Sequence, residues 1–159
     1  MRPPKVRDFE AIRAVETAAF GRELEAAIVE GVRAEGESLV ELVYEEAGEV
    51  VGHILFSRMK TAPERRFAGL GPVAVAPSAQ RRGIGDALCR AGIEMVRELG
   101  ADAIVVLGHP DYYPRFGFSG ASARRIASPY AGNPAFMAME LVPGALAQTL
   151  RADYPTAFG

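Results

Sequence analysis

Apolar residues recur at helical spacing from Asp8 to about Phe20, where Phe9, Ile12, Val15, Ala19 and Phe20 share a side and Asp8 is placed to cap the start. Gly21 breaks that pattern. A second helical stretch runs from Glu23 to about Ala34, with Leu24, Ala27, Ile28 and Val32 turned inward, and Gly36 ends it. Two β-rich runs, Leu39–Glu45 and Val50–Ser57, flank Ala47-Gly48-Glu49 and read as a hairpin. The charged segment Arg58–Phe67, with Pro63 inside it, reads as a loop with a ragged strand start. Leu70–Val75 is a strand that contains Pro72, and a residue without an N–H marks an edge or a bulge.

The clearest helix follows Gly83. Ile84, Leu88, Ala91, Met95 and Leu99 form its apolar stripe, Ala87 and Val96 widen it, and Gly100 stands where a left-handed cap would end it. Ala103–Leu107 is an uninterrupted apolar strand of the kind found inside a sheet. A turn, Gly108-His-Pro-Asp, leads into a short aromatic element, Tyr112–Gly117, then a long loop and a closing strand, Phe136–Leu141. The tail Gly144–Gly159 adds a short helix and an extended piece. This order predicts an α/β fold class, a mixed sheet with helices packed on it, in one domain spanning residues 1–159.

Composition narrows the picture. A chain of 159 residues supports one core and not two. The net charge of −2 gives no field that would draw the whole surface to nucleic acid. One cysteine, Cys89, rules out an internal disulfide and a cysteine-based metal cluster, and no metal is expected. No apolar run approaches the roughly 18 residues of a membrane span. The first residues, Met1 to Asp8, are polar with no apolar stretch behind them, so the expectation is a cytoplasmic protein with no membrane partner.

The chemistry concentrates between Leu70 and Leu88. A helix N-terminus presents unpaired N–H groups and partial positive charge, so Arg81 and Arg82 should be unfavourable there unless an anion sits among them. Gly83 and Gly85 would let that anion approach the backbone. The segment is not a P-loop, because Asp86-Ala87 stands where Lys-Ser/Thr is required. It is a poor dinucleotide fingerprint too: Leu88 replaces the third glycine or alanine, and Leu107-Gly108 stands where an acid should follow the next strand. A glycine turn that binds nothing leaves the two arginines unexplained.

Gln80-Arg81-Arg82-Gly83-Ile84-Gly85 resembles the acyl-CoA pyrophosphate loop of the GNAT (Gcn5-related N-acetyltransferase) superfamily, Gln/Arg-x-x-Gly-x-Gly/Ala. Tyr113-Pro-Arg-Phe-Gly117-Phe118 resembles the family's Tyr-x-x-x-Gly-Phe block. The run from Val106 to Phe118 and the segment Phe136–Leu141 are similar to a bacterial subgroup of predicted N-acetyltransferases. The element order matches from Met1 to about Leu141. The resemblance implies a central mixed, mostly antiparallel sheet flanked by helices, and acetyl-CoA as acyl-donor cosubstrate.

It also implies roles. Val73, Ala74 and Val75 would pair with the pantetheine amides and donate an N–H to the thioester carbonyl, with a bulge at Gly71-Pro72 freeing those groups. Gln80, Arg81, Arg82, Gly83, Ile84 and Gly85 would hold the pyrophosphate. Tyr113 matches the tyrosine that protonates the departing CoA thiolate, while its neighbour Tyr112 reads as packing. A phenol with a pKa near 10 is protonated at neutral pH and can serve as that acid. Cys89, inside a helix between Leu88 and Arg90, reads as a structural thiol, so direct transfer in a ternary complex is expected.

The general base is not fixed. His53, read as a half-buried sheet histidine, His109, read as a turn residue, Glu64, another carboxylate or a water are all open. The acceptor, a small-molecule or peptide amine, would meet roughly Phe20–Glu30, Arg58–Phe67 and Ser119–Phe136, with Glu23 and Glu25 read as solvent-facing. A non-catalytic acyl-CoA-binding sensor is the rival from another class. A dehydrogenase is a distant third. Monomer and homodimer, the latter through an exposed sheet edge, both fit.

Overall fold

The computed structural model describes residues 1–159. Two helices packed on each other, α1 (Phe9–Phe20) and α2 (Leu24–Glu35), precede a hairpin of β1 (Ser38–Glu46) and β2 (Glu49–Arg58). Ala47 and Gly48 both have positive φ, 52° and 81°, the backbone a tight two-residue hairpin requires. A short β3 (Lys60–Ala62) leads to β4 (Phe67–Val75), α3 (Ile84–Glu98) and β5 (Ala103–Leu107). After a 3-10 turn at Tyr113–Phe116 come α4 (Gly120–Ala123), β6 (Ile126–Ala127), β7 (Phe136–Glu140) and β8 (Leu150–Asp153). No helix is long and apolar enough to cross a membrane.

The main sheet runs β1-β2-β4-β5-β7, and only the β4–β5 pair is parallel, so the sheet is mixed and mostly antiparallel as expected. β3, β8 and β6 form a second, three-stranded sheet that the sequence pattern does not announce. α3 covers one face of the main sheet over Val40, Leu42, Ile54, Phe56 and Leu70. α1 and α2 cover the other, over Val43 and Leu55.

Two helices are rotated from their expected stripes. In α3 the buried residues are Ile84, Leu88, Cys89, Gly92, Ile93 and Val96; Leu99 is 54% exposed. Gly92 explains the shift, since a Cβ there would lie 2.3 Å from the Phe56 ring, so bare backbone sits on that ring. In α2, Ala26, Val29 and Glu25 are buried and Leu24 is not. Asp8 does not cap α1 through its side chain. Its carboxylate instead accepts from the Arg2 guanidinium at 2.7 and 3.0 Å and from the Lys5 N–H.

Candidate active site

The middle strand of the sheet is left without a neighbour along half its length. β4 pairs with β5 only from Phe67 to Leu70, while its remainder stays on β2. Between Ile54↔Val73 and Phe56↔Leu70, Gly71 and Pro72 stand opposite the single residue Leu55, which is the expected bulge. Gly71 has φ +137°, and Pro72 brings no N–H to the broken ladder. Beyond the bulge, Ala76 N–H donates to Val51 O, and alternation then turns the polar groups of Val73 and Val75 away from β2 toward the gap. The Gln80 side-chain amide donates to Val75 O at 3.0 Å, which agrees with that direction. Ala74, facing His53 across the ladder, points its N–H and C=O into β2 instead.

The gap is the floor of a cleft of about 730 Å³. The loop after β4 forms one end, where Gly83 caps α3 at φ +82° with nothing within 4 Å of the place a Cβ would occupy. Arg81 also has positive φ, 64°, and is exposed. Arg82 turns out to be occupied, paired with Glu46 at the end of β1. Ile84 is buried in the core, so only its N–H is available to an anion. The loop therefore offers backbone donors at the start of a helix, an anion-binding arrangement that needs no further cation.

Tyr112 and Tyr113 both line the cleft, with rings 5.1 Å apart edge to face. The Tyr112 hydroxyl donates to Asp86 at 2.7 Å, and the Arg115 guanidinium lies over its ring. Tyr113 is 7% exposed and its hydroxyl has no partner within the chain. Burial holds the Tyr113 phenol above its usual range, so it stays protonated. Gly108 makes room for it, since a Cβ there would fall 2.2 Å from the Tyr113 ring.

Comparison with known proteins decides the family. The model of the acetyltransferase (GNAT) family matches residues 9–118. The chain belongs to that family. It is 43% identical over 117 residues to the Escherichia coli K12 protein YjhQ, an uncharacterized N-acetyltransferase; the match covers 70% of this chain and 64% of YjhQ, so the chain spans just under two thirds of that relative. To E. coli YhbS, another uncharacterized N-acetyltransferase, it is 30% identical over 142 residues, 87% of this chain and 85% of YhbS. The crystal structure of YhbS in complex with CoA superposes with a TM-score of 0.91 at 29% identity, covering 99% of this chain and 89% of that one. A Brucella melitensis GNAT acetyltransferase in complex with acetyl-CoA gives 0.84 at 35% identity, covering 99% and 96%.

Several sequence expectations change within this GNAT frame. His53 is not half-buried: it is fully enclosed, with Nδ1 2.6 Å from Glu16 and Nε2 2.7 Å from Glu41. Arg33 pairs with the same Glu41, so Glu16, His53, Glu41 and Arg33 form one continuous chain of contacts. His109 is exposed on the cleft rim. Glu64 and the segment Arg58–Phe67 face a different cavity, of about 1020 Å³, so neither belongs to the cleft. Glu25 is the residue sequence reasoning misplaced. It is 6% exposed, lines the cleft and accepts from Arg22 Nε at 2.6 and 3.0 Å, whereas Glu23 is exposed against Arg13. Cys89 is sealed in the core and its thiol is pushed up to about 12 by burial, which leaves it no nucleophilic role.

Proposed function

We propose that this GNAT chain transfers an acetyl group from acetyl-CoA to a primary amine by direct attack, with Tyr113 returning a proton to the departing thiolate. The observation that carries this reading is the partnerless Tyr113 hydroxyl beside the unpaired edge of β4 in one cleft. The residues present suit acetyl-CoA: an open strand edge matches amide groups, and the Gly83 and Gly85 backbone at the start of α3 suits a pyrophosphate. Bound there, acetyl-CoA supplies an acetyl group already activated as a thioester.

The chain does the rest. An N–H of Val73 or Val75, fixed by the β2 ladder, faces the carbonyl oxygen as negative charge grows on it, and one such donor contributes about 3 kcal/mol. The amine nitrogen forms the C–N bond as the C–S bond breaks. The sulfur takes its proton from Tyr113, which recovers one from water in the cleft, and the amine gives up its own proton to a base or to water. The buried Cys89 supports transfer without an acyl-enzyme. Tyr113→Phe should cut kcat roughly 100-fold while acetyl-CoA binding, read by calorimetry, stays as it was. An unchanged kcat would remove Tyr113 from the proton's path.

A further inference from the structure

Three buried side-chain polar atoms in the molecule lack a hydrogen-bond partner: Glu16 Oε2, Ser57 Oγ and the Tyr154 hydroxyl. Of these, only Tyr154 lines the cleft, and it also borders the larger cavity beside the Arg58–Phe67 segment. It arrives from the tail after β8 and packs on β4, where a Cβ on Gly69 would meet its ring at 2.8 Å. Tyr130 packs edge to face against it with centroids 5.8 Å apart, and Phe158 lies at 4.9 Å. A buried hydroxyl left unpaired is costly, and a bound substrate group would supply the partner this one lacks.

The rest of this wall is apolar, with Phe20, Ile28, Tyr130 and Phe158 facing the space. Among the lining residues the only carboxylate is Glu25 and the only guanidinium Arg22, already paired with each other. A polyamine would find one carboxylate for several ammonium groups, and an aminosugar would find apolar rings where its hydroxyls need partners. A flat apolar body with a single amine meets neither obstacle.

We propose that the acceptor is a monoamine carried on a flat, ring-bearing apolar body with one hydrogen-bonding group, the amine held by Glu25 and that group by the Tyr154 hydroxyl. This assignment rests on the acetyltransferase reading above. Tyr154, Tyr130 and Phe158 all lie beyond the residues 9–118 that the family model matches.

The test measures CoA thiol release with tyramine, phenethylamine, putrescine and glucosamine, beside acetyl-CoA-dependent thermal unfolding. Tyramine should lead, with phenethylamine about 10-fold lower in kcat/KM. Tyr154→Phe should make those two amines equal while its unfolding midpoint stays level or rises, because an orphan hydroxyl has gone. A residue that merely packs would not combine those two changes. Glu25→Gln should raise the KM for both aryl amines by about 10-fold or more with acetyl-CoA binding intact. Preference for putrescine or glucosamine, or a tyramine preference that survives Tyr154→Phe, overturns the assignment. So does a protein that acetyl-CoA stabilises but that acetylates none of the four, in which case the cosubstrate reading still stands. No acetyl-CoA stabilisation overturns both.

Discussion

His53 shows how a residue's surroundings can reverse its plain reading. Burial alone lowers a histidine pKa, but hydrogen bonds from both ring nitrogens to Glu16 and Glu41 more than reverse this, so its pKa is raised above 6.5. A group whose folded pKa is raised stabilises the fold fully below its unfolded pKa and loses that contribution as pH climbs through the folded value. Glu16, raised from 4.5 chiefly by burial, loses stability in the same direction. Glu41 is also buried, yet its bonds to His53 and Arg33 prevail and lower it, so its share is lost only as pH falls. The unfolding midpoint should therefore decline as pH rises above about 6.5, and His53→Gln should start lower but give a flatter profile there. An equally steep decline in the variant would place the titration elsewhere. The partners were illegible in sequence because they come from α1 and β1, and nothing in the local pattern around position 53 announces them. The place of Tyr113 in the cleft was legible for the opposite reason: it stands in a contiguous motif with Gly117, whose φ of 109° suits glycine.

At the scale of elements, the periodicity located every long helix and strand yet misjudged which way two helices face. Hydrophobicity alone draws the α3 stripe through Leu99, whereas the close approach at Gly92 turns Cys89 and Ile93 inward. A glycine has no side chain to mark an apolar face, so the contact that sets the rotation is silent in the pattern. α2 is turned for a related reason, because Glu25 is spent on the cleft while Leu24 is left 53% exposed. The loop before α3 was better encoded. Gly83 is left-handed with open space where a Cβ would project, so its need for glycine is conformational and its openness is available to a ligand. Gly83→Ala should cost about 1 kcal/mol of stability and weaken the acetyl-CoA-dependent rise in unfolding midpoint, since the methyl enters the anion's approach. A full rise in that variant would move the pyrophosphate off this loop.

For the whole molecule, the surprise is the C-terminal tail. Sequence reading gave it no part in the site, because strands of two to four residues such as β3, β6 and β8 are too short to show a period. Yet the tail crosses the α1–α2 face of the sheet and closes one side of the cleft with Tyr154 and Phe158. Its end is fastened to α2, where Thr156 Oγ donates to Glu35 at 2.7 Å and Ala157 sits against bare helix at Gly31. A Cβ at Gly31 would lie 2.7 Å from the Ala157 Cβ, too close for a side chain that has no torsion to turn aside. Replacing glycine within a helix ordinarily stabilises it by up to about 1 kcal/mol, whereas overpacking costs about 1–3 kcal/mol. For Gly31→Val the clash should win, because a branched residue gains less in a helix and fills more of the contact. The tail, fastened to α2 by the Thr156–Glu35 hydrogen bond and this contact, should yield before the helix does. The variant should therefore lose about 1–2 kcal/mol on denaturant unfolding and raise the KM for the amine while leaving acetyl-CoA affinity unchanged. On the proposed reading acetyl-CoA would meet β4 and the α3 loop, whereas a side chain at Gly31 would meet Ala157. A matched loss of affinity for both substrates would show instead that the tail supports the sheet as a whole and not the acceptor side of the cleft alone.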